Sequence, residues 1–346
     1  MIPPPPTLTD MPPEVLTRIM EKLDVRKVFS LRKICKSLRD FIDFQYTRPQ
    51  LLDLNIYVQS GNIEAWYYTA EGLNVVNYLE IQKLEKSEKS QGNHCKIVHD
   101  SREKTLEAVD FLDAFLMDFQ FFLRRQNSIL RQFRVVHQGN YPSDPNVFQK
   151  IFKSIESTLK PRPFPLKTEE FHVAVSRQEE ILPVLALMDS DVLKNISIYP
   201  VSENGQKLME TGELVKMEQW KRAKELLIEH FVLEISMVDL VHFSFVTVNL
   251  RAVEMADLVL LKESFLHTST PKEFVLTYTH FGDNSDQISQ ILGDPLISSD
   301  IFGRTEKKWT IPVPGQDKEL EITHFENLKK FKFTNIKPLG GGVRFF

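Results

Sequence analysis

His94, Cys95 and His99 are the closest group of potential metal ligands in the sequence. Structural zinc takes four such ligands, usually as two close pairs, and neither Cys35 nor any other motif supplies the second pair. Asp283-Asn284-Ser285-Asp286 offers oxygen ligands, but it lacks the spacing and terminal Glu of a calcium loop. It reads instead as the cap of a helix at 285–292, with Gly282 ending a strand. Gly340-Gly341-Gly342 has no Lys-Ser/Thr behind it and reads as a flexible tail, not a phosphate loop. No G-x-S-x-G, no H-E-x-x-H and no cysteine with a matched catalytic signature occurs. His172 and His242 fall in strand patterns, and Trp220 shares an apolar helical face with Leu226 and Leu227, so packing explains all three. Asn195-Ile196-Ser197 matches a glycosylation acceptor that would be idle in a cytosolic chain. The expectation is a protein that is not an enzyme and that holds no cofactor or metal.

The elements that carry these residues belong to a chain of 346 residues, 42% apolar, with a formal charge of -4. That is enough for one large or two medium domains. The start, Met1-Ile2 and then Pro3 to Pro6, has no secretory pattern. The most apolar stretch, 231–250, is cut by Glu234, Asp239 and His242, so no membrane span is expected. Two cysteines point to a reducing compartment, and with it an intracellular location, cytoplasmic or nuclear. The aromatic residues are mostly Phe, 25 against 8 Tyr and 3 Trp. That balance suits a core more than a binding face.

The first fifty residues predict three short helices. Thr9 and Asp10 can cap a helix opening near Pro13, where Val15, Ile19 and Leu23 recur with Leu16 and Met20 beside them. Asp24 can cap a second helix bearing Val28, Leu31, Ile34, Cys35 and Leu38. Ser37 can restart a third with Phe41 and Ile42. So small a unit buries too little surface to stand alone, so a partner is expected. From Glu14 to Asp40 there are eight basic residues and four acidic ones, a face that would steer toward an acidic partner. The cations alternate with acids and carry no aromatic platform, so nucleic acid is not expected.

Met11-Pro12, Glu14-Val15, Ile19-Met20, Leu23, Val28, Leu31, Ile34-Cys35-Lys36-Ser37 and Leu38-Arg39 resemble the F-box motif in order and spacing. Met11 stands for the usual Leu and Leu38 for a frequent Trp. The resemblance implies docking onto the Skp-type adaptor of a cullin-based (SCF) ubiquitin ligase. The implied contact residues are Leu8, Met11, Pro12, Val15, Ile19, Val28, Leu31, Ile34, Cys35 and Leu38.

Beyond the helices the period changes. Leu52, Leu54, Ile56 and Val58 alternate, as do Ile63, Ala65 and Tyr67, and Val76 and Tyr78, with a turn signal at Ser60-Gly61-Asn62. These predict two or three short antiparallel strands, and 83–96 reads as a mobile charged connection. Helices are predicted at 102–125, 145–159, 178–189, 214–229, 253–266 and 285–292. Strands are predicted at 130–136, 171–175, 196–198, 243–247, 274–278, 309–311, 320–322 and 331–333. Repeated strand-then-helix units argue for a largely parallel sheet, either a curved leucine-rich-repeat-like solenoid or a closed doubly wound domain. No Gly-rich phosphate loop follows any strand, which weakens a nucleotide-binding version.

Gln219-Trp220-Lys221 with Ala223-Lys224, His242-Phe243, Met255-Ala256-Asp257-Leu258, Trp309-Thr310-Ile311-Pro312 and Leu320-Glu321-Ile322 resemble the FTH domain. An F-box ahead of an FTH domain is the architecture of the nematode F-box A family. The expected layout is a Pro-rich leader (1–7), an F-box (8–46), a short β segment with a charged linker (47–100), and an FTH-type α/β domain (101–346). The resemblance implies an α+β or α/β protein acting as a non-catalytic receptor. Its partners would be the adaptor, a cullin through it, and an unidentified target protein. An adaptor-binding scaffold without ubiquitination is the alternative.

Overall fold

The computed structural model describes residues 7–20, 22–23, 25–32, 34–44, 51–81, 94–99, 102–139, 144–201, 207–282, 285–299 and 305–336. The Pro run, Asp24, most of the charged connection, Asp283-Asn284 and the glycine tail lie outside them. The chain forms two compact units, Met1–Glu169 and Glu170–Phe346.

The first unit opens with a 3-10 turn at Leu8–Asp10 and three helices, α1 (Pro13–Met20), α2 (Val25–Arg32) and α3 (Lys36–Phe44). Five strands follow: β1 (Asp53–Gln59), β2 (Asn62–Thr69), β3 (Gly72–Ile81), β4 (His94–His99) and β5 (Arg102–Leu106). Then come α4 (Phe111–Arg125), β6 (Leu130–His137) and α5 (Pro145–Leu159). β1 to β5 form an antiparallel meander, and β6 lies parallel to β1 at its other side. Leu54, Ile56 and Val58 alternate inward against Ile63, Ala65 and Tyr67, all at most 1% exposed, the period-2 pattern of a half-buried sheet. The β1–β2 turn needs Gly61, whose φ of 67° is the left-handed region that residues with a Cβ avoid. α4 supplies the covering layer, with the Phe122 ring 4.2 Å from Tyr67 and Phe115 5.6 Å from Tyr78. The fully buried Gln126 ends α4. Its side-chain amide exchanges two 3.0 Å hydrogen bonds with the Leu51 backbone, fixing the chain just before β1.

Two sequence expectations fail here. His94 to Lys96 belong to a strand, not a connection, and 102–106 form β5 before the helix. The N-cap is Asp110, whose carboxylate accepts the Leu112 N–H at 2.9 Å. Apart from the buried Cys95, β4 and β5 are half-buried or exposed, so few of their residues show the apolar alternation that marks a strand. The predicted helix at 145–159 is observed with Pro145 in its first turn.

The second unit continues β7 (Thr168–Val175) with α6 (Leu182–Leu185), β8 (Asn195–Pro200), β9 (Lys207–Glu210), α7 (Glu218–Arg222), β10 (Glu225–Glu234) and β11 (Phe245–Val253). It ends with α8 (Met255–Leu266), β12 (Glu273–Phe281), α9 (Ser285–Leu292), β13 (Leu296–Ser299), β14 (Thr305–Pro312), β15 (Glu319–Phe325) and β16 (Lys330–Ile336). β7, β8, β10, β11 and β12 are neighbours in that order and all parallel, with β9 pairing parallel to the far half of β10. Beyond β12 the order β16-β15-β14-β13 is antiparallel. The protein is therefore α+β with mixed sheets. The core is built as rows across strands: Phe171, Ile196, Leu226, Val246, Phe274 and Phe333 stand side by side in register. None of the six exceeds 2% exposure. α8 covers this side, its Phe265 ring 5.4 Å from Phe274 and 5.7 Å from Phe333.

The predicted helix at 214–229 is a correction. Only a 3-10 turn (Leu214–Lys216) and α7 are helical there, and β10 begins at Glu225. Ala223 leaves the helical region at ψ 151°, and the apolar spacing then switches to Leu226 and Ile228. The stretch 178–189 likewise holds a 3-10 turn and one helical turn, α6. His242 sits in the turn before β11, not in a strand.

Candidate functional site

The Thr7 amide and hydroxyl donate to Asp10 Oδ2 at 2.7 and 2.6 Å, closing the first 3-10 turn. The bonds from Thr7 hold the Asp10 carboxyl below its ordinary value. Asp10 thus turns back onto Thr7 and does not cap α1. On α1, Leu16 (5% exposed) and Met20 (0%) face inward while Val15 is 40% exposed. Leu8, Met11 and Ile19 are half-buried and Pro12 is exposed. Val28 and Leu38 are buried at 4% and 3%, whereas Ile34, in the turn between α2 and α3, is 67% exposed. Leu31 and Cys35 are half-buried. The Cys35 carbonyl accepts the Arg39 N–H at 3.1 Å, so α3 starts there and not at Ser37. Of the ten residues singled out from sequence, Val28 and Leu38 pack inside the unit and the other eight keep surface.

These helices rest on α4. The Arg32 guanidinium stands 3.7 Å from Asp118 and 4.9 Å from the Phe121 ring centre. Arg125 lies 4.3 Å over the same ring and donates to the Ile42 carbonyl at 3.2 Å. Asp118 also accepts the buried Tyr78 hydroxyl at 2.9 Å. Sequence reasoning missed this seam. Its trace is the aromatic run of α4, Phe115, Phe119, Phe121 and Phe122, which is more than one apolar face needs.

In the second unit the residues alternating with the core rows form a different face. Glu170, Asn195, Glu225, Phe245 and Glu273 stand in one register row. His172, Ser197, Leu227, Thr247 and Val275 form the next. Asn195 links two strands, accepting from Ser197 Oγ and donating to Glu225 Oε2, both at 2.9 Å. The His172 ring lies 3.1 Å from Glu170 Oε2 and stacks on Tyr199. Phe245 is 43% exposed.

The F-box domain family matches residues 8–48 and the FTH domain family residues 149–295. The chain carries an F-box and an FTH domain. F-box A protein 224 of Caenorhabditis elegans is 24% identical over 284 residues, covering 81% of this chain and 68% of that protein. No solved structure matches.

The F-box match takes in the 3-10 turn and α1 to α3. The FTH match begins within α5 and reaches the residue before β13, so Trp309 and Leu320 to Ile322 lie beyond it. Inside it, Trp220 is 1% exposed, donates from Nε1 to the Asp239 carbonyl at 3.1 Å and meets Phe243 edge-on. The His242 ring contacts the Trp220 carbonyl at 2.9 Å, and burial lowers its pKa. These FTH residues pack the domain together.

Among the described residues, no group of three His, Cys, Asp or Glu is placed to hold a metal ion. His94 and Cys95 are adjacent in a strand and so point to opposite faces. Burial pushes the Cys95 thiol up to about 11, which keeps it protonated and unreactive. No described helix is long and apolar enough to cross a membrane. Lys272 and His324 are also strongly perturbed by burial, and both serve packing. Lys272, lowered by burial to about 8, donates to the Val241 carbonyl and Ser264 Oγ between the Phe265 and Phe274 rings. His324, lowered by burial to about 4, stacks on Phe331 and bonds the Tyr278 hydroxyl at 2.7 Å.

Proposed function

We propose that this chain is a non-catalytic substrate receptor of an SCF ubiquitin ligase. Its F-box docks on a Skp-type adaptor and through it a cullin, and its FTH domain holds a target protein. The observation that carries this reading is the apolar surface left on the F-box: Ile34 is 67% exposed and Val15 40%, while Leu16, Met20, Val28 and Leu38 are buried beneath. An exposed apolar patch beside a packed one marks a contact surface. Leu8, Met11, Pro12, Ile19, Leu31 and Cys35 extend the same contact. Holding a target near a conjugating enzyme is catalysis by positioning, which needs no reactive group on the receptor. The in-order parallel strands β7, β8, β10, β11 and β12 support a leucine-rich-repeat-like stacking of the FTH region. The setting is intracellular, and the layout is a leader, an F-box, a β segment and an FTH-type domain from about residue 101.

The test is the affinity of the full chain for a purified Skp-type adaptor. Ile34→Asp places a charge where there is now solvent-exposed side chain. It is expected to leave the melting curve unchanged and to weaken adaptor binding at least tenfold. A folded Ile34→Asp chain that binds like the wild type overturns the docking claim. Transfer of ubiquitin to a captured protein in the reconstituted ligase separates a receptor from a scaffold.

A further inference from the structure

The two register rows on the open face of the second unit have a chemistry that the receptor reading does not specify. On the five parallel strands they carry three carboxylates, Glu170, Glu225 and Glu273, and no Lys or Arg, while on β16 the second row continues to Lys332. The carboxylates fall on every second strand. Between and beside them lie Phe245, 43% exposed, and the half-buried Leu227 and Val275. Neighbours hold the acids in place: Asn195 donates to Glu225, the His172 ring lies 3.1 Å from Glu170 Oε2, and Thr334 Oγ1 lies 3.4 Å from Glu273. Glu273 is also the far limit of the acidic row, because Lys332 of the next strand approaches it to 3.2 Å. The face is therefore an apolar strip bordered by negative charge at a fixed pitch.

We propose that this face docks a basic segment of a partner protein in polyproline II conformation, running across the strands with Lys or Arg at every third position and apolar residues between. The pitch follows from geometry. Neighbouring strands are about 4.8 Å apart, so carboxylates on alternate strands recur about every 10 Å. A polyproline II chain advances about 3.1 Å per residue and returns to the same face every three residues, so side chains three apart lie on one face about 9 Å apart. The basic side chains meet Glu170, Glu225 and Glu273 in turn, and the apolar ones lie on Phe245, Leu227 and Val275. Nucleic acid would meet three like charges here and is disfavoured. The proposal depends on the receptor reading only for which protein supplies the segment.

The experiment measures binding of a labelled synthetic peptide with lysine at every third position, leucine and serine between, to the full chain without adaptor. The spaced peptide is expected to bind, and to weaken as salt is raised. A peptide of the same composition with its lysines clustered is expected to bind less tightly. Glu225→Gln and Phe245→Ala are each expected to weaken binding about fivefold, the scale of one partly exposed contact. Phe245 is exposed enough that its alanine variant keeps the fold, which circular dichroism checks. No binding of the spaced peptide overturns the proposal, as does equal binding by both variants or by the clustered peptide. Self-association of the chain that Phe245→Ala abolishes would overturn it too, by assigning the face to a second copy. Because adaptor affinity is measured separately, either claim can fail while the other stands.

Discussion

Arg32 of α2 and Asp118 of α4 face each other at 3.7 Å, 13% and 12% exposed, and the Tyr78 hydroxyl donates to the same carboxylate at 2.9 Å. One buried acid thus ties the F-box helices to the β meander through two different partners. Breaking such a pair from one side leaves polar groups buried and unmatched, which costs more than the contact itself contributes. Asp118→Ala is expected to destabilise the protein by about 3 kcal/mol. Tyr78→Phe, which removes only a donor, is expected to cost about 1 kcal/mol. Urea denaturation of the two variants checks the order, and equal costs would refute this account.

The F-box apolar residues separate into two classes by burial. Leu38→Ala empties a side chain that is 3% exposed, so it is expected to cost about 2–4 kcal/mol of stability. Val15→Ala, at a position 40% exposed, is expected to cost less than about 1 kcal/mol. Adaptor affinity should respond in the opposite sense once folding is accounted for: Val15→Ala weakens it directly. Thermal melts alongside adaptor titrations make the comparison.

His324 makes stability depend on pH. Its folded pKa is about 4 against an ordinary 6.5, because burial opposes the charge. The unfolded chain therefore binds the proton first as pH falls. The stability held above pH 6.5 is lost progressively down to pH 4, by up to about 3 kcal/mol. His324→Gln is expected to flatten this part of the stability–pH curve. An unchanged slope in the variant would assign the effect to other groups.

Lys272 acts in the alkaline range. It is lowered from 10.5 to about 8 by burial, so the unfolded chain holds its proton more tightly than the folded one. Stability then rises between pH 8 and 10.5, the window in which only the unfolded chain is still protonated at this position. Lys272→Met is expected to remove that rise. Denaturant midpoints measured across this range decide it.

Some elements were plain in the residue pattern. Pro145 with Val147, Ile151, Ile155 and Leu159 marks α5 by period and start signal alone, and Leu54, Ile56 and Val58 mark β1. β10 was hidden because Trp220, Leu226 and Leu227 also satisfy a helical spacing, and only the backbone at Ala223 ends the helix. β4 and β5 were hidden because strands with few fully buried residues lack the apolar alternation that reveals core strands.

What the sequence determined by itself is what local order can carry. The apolar periods, the start at Pro13, the run from Ile34 to Arg39 and the FTH residues around Trp220 are short-range signals, and each marks a family or an element without reference to distant chain. Tertiary structure alone decided which F-box residues stay exposed, since Val28 and Ile34 are equally apolar and differ only in what packs over them. It also decided that Asp118 would meet Arg32, and that Glu170, Glu225 and Glu273, far apart in the chain, would stand in one row. Register between strands is a long-range property, set by how the core rows interlock, and no local stretch of sequence contains it.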